Sequence, residues 1–576
     1  MRVNIVSNHR KNTGLSLDVK ILCGILTNIF EENVEIRLVQ YVQPQCTEAD
    51  INIFIETISP SLFSYAAKNI WIPNHEYTPK TWLPYMNMVN EIWVKTHEAE
   101  RLFSNLTPTY VRYIGWTSLN KETPSNKNYF KAIVPLGKNQ NREIDVVFKA
   151  YEIIKNKSNI DFCRLPELHV VSWREIEVPS SISNRVIIHK KLSDEDYDEI
   201  LKDCGLCICL SKAEGFGHVV NESMASGCNM LVSSISPFLE DIVGELNSGA
   251  WFCEQSENVP SVKYLGCQIS SNLDSLVNQL ERYIHTSDEI KKIGGTFMRT
   301  VYETNHKLWM DRMKKVLPHV LNIETPYKLI DTLPNEKDLP NVSIVCVTRD
   351  RRIFMPIMKY SYMIQSYPEE KLELVIVDDG DDSIEDTLIG VPNVTYVRLE
   401  EKKTIGEKRN IGISKAMYDV VAFMDDDDVY PNNSILERTA MMLKFPSKEC
   451  AFCSVIPCYD IIKYSSFMNA PPIDIEMSQR ISEATLIFTK KFWEERKFSD
   501  VQIAEGDAFI RGREHMCREL SPQEVIVSLV HSTNTSSRKL PDFKEPNGCH
   551  FGFNEKLFAM VSEIGESLKT EEGSTA

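Results

Sequence analysis

Apolar residues along this chain fall into two kinds of run. Short unbroken stretches rich in β-branched and aromatic residues, such as Val342–Thr348, Leu374–Val377 and Val420–Phe423, lack polar alternation and predict strands buried on both faces of a parallel sheet. Elsewhere apolar residues recur every three to four positions, as in Leu15–Phe30, Asp194–Leu201, Leu273–His285 and Ser287–Leu321, which predicts helices. The chain opens with a strand at Arg2–Val6, a polar loop carrying Gly14, and a helix. That is a Rossmann-like start without the Gly-x-Gly-x-x-Gly of a dinucleotide site. Strands at Glu35–Val39, Asp50–Glu56, Asn69–Pro73 and Glu91–Lys95 complete a first α/β unit, 1–124. A second unit, 125–321, is marked by strands at His169–Trp173, Val186–His189, Gly205–Leu210 and Met230–Ser233. The proline-containing, charged stretch 322–340 reads as a linker, 341–560 as a third α/β domain, and 561–576 as a frayed tail.

Composition narrows this picture. With 576 residues there is room for three or four domain-sized cores. A formal charge of -17 argues against a nucleic-acid binder held by phosphate contacts, and anionic ligands would need local cationic pockets. The N-terminus lacks an apolar signal-like core and no stretch is apolar enough to span a membrane, so a cytoplasmic protein is expected. The 15 cysteines lie mostly within apolar runs, as Cys204, Cys207 and Cys209 do. They predict buried free thiols, because no second pair stands at zinc-like spacing.

The chemistry concentrates at strand ends. Asp425-Asp426-Asp427-Asp428 follows Val420–Phe423, at the carboxyl end where ligands bind in open α/β sheets. Four adjacent carboxylates are tolerable there if a divalent cation and a phosphate share the site. A hard ion with oxygen ligands, Mn2+ or Mg2+, is the expected occupant. Asp379 ends a neighbouring strand and can accept from a pyrimidine N–H; Thr348 ends another; Arg409 can meet a base or a diphosphate. The Asp-x-Asp spacing occurs twice, at Asp425/Asp427 and at Asp426/Asp428.

In the second unit, Gly137 sits between a strand and a helix with Lys138 and Arg142 beside it, a turn that could hold a diphosphate. Downstream, Glu214-Gly215-Phe-Gly217 precedes Glu222, eight residues after the first acid. Glycines let backbone approach a ligand, Glu214 would face a sugar, and Glu222 could accept from ribose hydroxyls.

Taken as an ordered set, strand, helix, Val-Asp378-Asp379-Gly380, Gly406-x-x-Arg409-Asn410-x-Gly412 and Phe-Met-Asp425-x-Asp427 resemble the GT-A domain of family 2 glycosyltransferases, over Leu339 to Arg538. The resemblance favours Asp425 and Asp427 as the ribose- and metal-facing pair, His531 as a third metal ligand, and an inverting reaction. It also implies that Glu505-Gly-Asp507 carries the general base, Asp507 first and Glu505 second, because a glycine separates acids that are adjacent in the family. Residues 1 to 320 are similar to family 4 glycosyltransferases of the GT-B fold through the spacing of Glu214 and Glu222, with Lys138 and Arg142 near that family's phosphate cations; Glu143 stands where glycine is usual. These likenesses imply a bifunctional glycosyltransferase. A GT-B half of two Rossmann-like units, retaining, would be fused to a metal-dependent GT-A half. Nucleotide sugars would be donors, and a glycan, glycoprotein or glycolipid the acceptor. The alternative is a single active half, with the GT-B half serving as a carbohydrate-binding or scaffolding module.

Overall fold

The computed structural model describes residues 1–575 apart from 9–13, 41–47, 125, 158–161, 245–248, 323–326, 328–335, 473 and 535–550. Most of the expected linker therefore lies outside the described residues. Three α/β sheets follow one another along the chain. The first has six parallel strands in the spatial order Glu35–Gln40, Arg2–Ser7, Ala49–Ile55, Ala66–Ile72, Glu91–Val94 and Tyr110–Tyr113. The second, also parallel, runs Ala250–Cys253, Asn229–Ser233, Cys204–Cys209, Asn128–Gly137, Glu167–Ser172 and Val186–Lys190. Strands such as Ala49–Ile55 and Cys204–Cys209 are buried along their full length, which is why their sequences are continuously apolar. Helix Asp288–Val320 packs Met298, Tyr302, Trp309, Met313 and Leu317 into a core shared by both sheets.

The third sheet is mixed. Its parallel part is Val394–Arg398, Leu372–Asp378, Val342–Thr348 and Val420–Phe423; Ser482–Thr489 then runs antiparallel, followed by Cys450–Cys453 and Cys517–Glu519. The register sets Thr348 beside Asp378 and Val345 beside Phe423, so Thr348, Asp379 and Asp425 emerge at one edge of the sheet. A smaller sheet of Asp428–Val429, Val527–Val530, Ile456–Asp460 and Ser465–Asn469 covers that edge.

Two expectations change. Residues 561–575 of the segment read as a frayed tail belong to a helix spanning Glu555–Thr575. Leu557, Val561, Ile564 and Leu568 recur at spacings of four, three and four and bury against Phe354, Tyr459 and Ile461, so the packing holds the helix. The sequence also reads as a helix over Pro237–Gly244, and the structure has a π-helical turn there, at Pro237–Ile242. The cysteines are free among the described residues, and no helix there is long and apolar enough to cross a membrane.

Candidate active sites

At the carboxyl edge of the third sheet lies a cavity of about 1050 Å³ lined by Thr348, Arg409, Asp425 to Asp428, Glu505 and Asp507. The four acids are held in four different ways. Asp425 Oδ1 is ion-paired with Arg409 Nη2 at 3.3 Å. Asp426 is buried beside Arg351, 3.4 Å away. Asp427 faces His531 Nε2 at 3.2 Å and also meets Arg351 and Asn534. Asp428 turns into the small sheet, accepting from Ser528 Oγ at 2.6 Å and Leu529 N at 3.0 Å. Burial pushes the Asp426 carboxyl up to about 7 against the pull of Arg351. Burial also works to raise Asp427, but the hydrogen bond from His531 and the charge of Arg351 outweigh it and hold Asp427 below the usual carboxylate range. Asp427 is thus the acid kept ionised.

A hard divalent ion suits this edge. Magnesium-like ions take one or two protein ligands and complete their shell with phosphate and water oxygens, and Asp427 with His531 offers such a pair beside Asp425. Asp425, Asp427 and His531 do not converge as a triplet. Among the described residues the trio whose ligand atoms lie within 4.8 Å of one another is His97, Glu240 and Asp241, in the first half. There Asp241 already meets His97 Nδ1 at 2.6 Å and Tyr113 Oη at 3.0 Å, and Glu240 meets Arg101 at 2.9 Å.

On the far wall of the cavity, Glu505 is buried and accepts from Arg409 Nε at 2.8 Å. Asp507, two residues on in the same short helix, Glu505–Ile510, is less buried; it accepts from Ser478 Oγ at 2.6 Å and pairs with Arg511. Asp379 is engaged by Lys408 Nζ at 2.7 Å and by the Lys403 amide at 2.8 Å.

Sequence reading missed three groups here. Arg351 belongs to the basic run Arg349-Asp-Arg351-Arg352 directly after a strand, which was a usable signal. Lys408 adjoins Arg409 in the same helix, Ile405–Lys415, whose start is fixed by a Thr404/Glu407 capping box. Glu483, at the start of strand Ser482–Thr489, accepts from the Gly506 amide at 3.2 Å; burial and then Glu505 push its carboxyl up to about 7. Nothing local marks Glu483.

In the first half, Glu214 lies on the loop and Glu222 on helix His218–Ala225, as expected. Gly217 opens that helix with φ +99, and a side chain there would strike Phe238. Arg142 is 7% exposed and ion-paired with Glu214, whereas Lys138 is exposed and stacks over Trp173 at 4.5 Å. The two cations of the Gly137 turn therefore do not face one ligand position. Glu222 is buried 3.9 Å from Lys121; burial raises its carboxyl and Lys121 opposes that.

Facing this loop from the other unit is Glu76. A Cβ on Gly215 would come within 2.6 Å of both Glu76 carboxylate oxygens, so only glycine permits the approach. Glu76 Oε2 is buried and accepts no hydrogen bond. Burial, and then the charge of Glu214, push its carboxyl up to about 8. The seam is stitched by backbone bonds: Gly266 N to His75 O at 3.1 Å, Leu265 N to Thr78 O at 2.9 Å and Lys80 N to Lys263 O at 3.0 Å. Because the folded state holds the Glu76 proton well above the ordinary carboxylate pKa, it binds more protons than the unfolded chain, and stability falls as pH rises from the unfolded value toward about 8. Glu76→Gln should abolish that loss. Its melting temperature should match the wild type near pH 4 and exceed it at pH 8.5, by a margin on the order of 2 kcal/mol or more in stability. Equal melting curves at both pH values would refute the assignment.

Comparison with known proteins agrees with this division. Residues 361–493 match the model Glycosyl transferase family 2, and residues 180–260 match Glycosyl transferases group 1. No curated protein sequence matches the chain. Among solved structures, S. aureus TarM is similar at 15% identity with a TM-score of 0.35, over 46% of this chain and 54% of that one. The mannosyltransferase PcManGT from Pyrobaculum calidifontis, in complex with GDP-Man and Mn2+, is similar at 16% identity and TM-score 0.27, over 36% and 60%. S. aureus TarS 1-349 is similar at 17% identity and TM-score 0.27, over 33% and 60%. The match thus spans little more than half the length of these solved chains. The two family models match separate α/β parts of the chain, the first within the domain of the third sheet and the second within the unit of the second sheet.

Proposed function

We propose that the chain transfers sugars from nucleotide-sugar donors to a glycan or glycoconjugate acceptor at two sites. The C-terminal site is metal-dependent and inverting; the N-terminal site is retaining. The observation that carries the first part is that one cavity is lined by Asp427, backed by His531 at 3.2 Å, and by Glu505 and Asp507. In this reading Asp427 and His531, with Asp425 on the neighbouring strand end, would offer ligands to Mn2+ or Mg2+, which when bound supplies Lewis-acid stabilisation for the departing diphosphate. Thr348, Asp379 and Arg409 hold the nucleotide end. Asp507 takes the proton of the acceptor hydroxyl as that oxygen attacks the anomeric carbon, and Glu505, committed to Arg409, orients the donor side.

For the N-terminal half, Glu214, Gly215, Gly217 and Glu222 form the donor side, with Lys138 as the exposed cation available to the phosphates and Arg142 held against Glu214. Glu222→Gln should cost about 1 to 3 kcal/mol of donor binding by weakening charged hydrogen bonds to the ribose. The test is calorimetry on the full chain carrying Asp427→Ala, titrated with a panel of nucleotide sugars. A second reading, that this half is a carbohydrate-binding or scaffolding module, is favoured by the burial of Arg142 against Glu214 and by the stitched seam. Absence of any nucleotide-sugar binding in that background would select it.

A further inference from the structure

A side chain in the wall of the C-terminal cavity is held from behind by the N-terminal half. Arg480 lines the cavity and is 5% exposed. Its Nη1 donates to Tyr85 Oη at 3.2 Å, Tyr85 Oη donates to Glu519 Oε1 at 2.5 Å, and Ser454 Oγ donates to Glu519 Oε2 at 2.6 Å. Tyr85 belongs to the short helix Leu83–Met86 in the first Rossmann-like unit and is 1% exposed. A phenol, a carboxylate and a guanidinium buried together are costly unless each finds a partner, and this chain of hydrogen bonds supplies them across the two halves. Burial, and then Glu519, push the Tyr85 phenol well above its ordinary value, so it stays neutral and donates.

Arg480 is tethered by one edge. Its buried Nε meets no acceptor among the described residues, and a guanidinium has five N–H donors to place. It also follows directly on the turn Met477–Gln479, whose Ser478 holds Asp507. The second unit grips the same segment through the Lys263–Asp474 ion pair.

We infer that Arg480 binds an oxygen of the acceptor in the C-terminal cavity, and that Tyr85, from the N-terminal half, is its positioning residue. The inference rests on reading that cavity as the transfer site with Asp507 on the acceptor side. It makes the first half necessary for acceptor recognition by the second, whether or not the first half turns over a donor itself. Ser64 provides the control, because its Oγ accepts from Arg518 Nε at 2.8 Å in the same interface and neither residue lines the cavity.

The experiment uses the full chain as wild type, Tyr85→Phe, Arg480→Gln, Arg480→Lys and Ser64→Ala. Hydrogen exchange is read first. Tyr85→Phe removes the hydroxyl's bonds to both Arg480 and Glu519, and the lost Arg480 bond should speed amide exchange in residues 475–483 by about tenfold without changing strand Val420–Phe423. Nucleoside diphosphate release is then followed over a panel of nucleotide sugars with Mn2+, using octyl glycosides or water as acceptor. Tyr85→Phe and Arg480→Gln should raise the octyl glycoside KM about tenfold and leave the donor KM and hydrolysis by water unchanged, with partial recovery in Arg480→Lys and wild-type behaviour in Ser64→Ala. Unchanged exchange in 475–483, or equal effects of Tyr85→Phe and Ser64→Ala, would overturn the role of Tyr85. A parallel loss of donor KM and hydrolysis would show the contact to be structural only. Wild-type protein that releases nucleotide from no donor would overturn the transfer reading itself, and this inference with it.

Discussion

Asp427→Ala is expected to abolish metal-dependent sugar transfer by the C-terminal half and to remove its Mn2+ binding, with little change in melting temperature. Asp427 is the acid that the site keeps ionised, through His531 at 3.2 Å and the Arg351 guanidinium. It stands at the edge of the sheet rather than in an apolar core, so truncation opens no cavity among packed hydrocarbon side chains. Nor does it strand a buried charge. Arg351 remains 3.4 Å from Asp426, and with the neighbouring negative charge gone Asp426 ionises more readily and becomes the counter-ion. Calorimetry with Mn2+ alone separates binding from turnover. Retention of full Mn2+ binding and transfer in the variant would remove Asp427 from the mechanism.

Asp507→Asn should slow transfer by about 10²- to 10⁴-fold, the usual contribution of a positioned general base, while nucleotide-sugar binding stays normal. The two acids of this wall differ in commitment. Glu505 is buried and spends an oxygen on Arg409 at 2.8 Å, which also lies 3.3 Å from Asp425; its loss should disturb the donor side. Asp507 is reached by a neutral hydroxyl, Ser478, and by the exposed Arg511, and so retains the freedom to take a proton. Glu505→Gln should therefore raise the donor KM with a milder loss of rate. The reverse ranking, with Glu505→Gln nearly inactive at normal donor KM and Asp507→Asn active, would move the base to Glu505.

Much of this arrangement could be read along the chain, for a physical reason. Buried parallel strands must be apolar on both faces, so runs such as Val342–Thr348 and Cys204–Cys209 announce themselves, and their ends locate Thr348, Asp379 and Asp425. Glu214 and Glu222 were legible because a Gly-rich loop and a helix start have local signatures. What escaped depends on contacts between distant segments. Glu76 acquires its unusual carboxyl only by docking on Gly215, Glu483 only by facing Glu505, and Tyr85 only by meeting Arg480 and Glu519 from another sheet. The helix Glu555–Thr575 was different. Its apolar spacing is visible in the sequence, but the polar residues at its end masked it.

The most direct test of two fused transfer sites of different metal requirement is nucleoside diphosphate release by the full chain over a panel of nucleotide sugars, with Mn2+ and again with EDTA. The account predicts release that divides into a part lost in EDTA and in Asp427→Ala, and a part that survives both and is lost in Glu222→Gln. Complete loss of all release on chelation would contradict the division of labour between the halves, and release that is indifferent to both EDTA and Asp427→Ala would contradict the assignment of the C-terminal site.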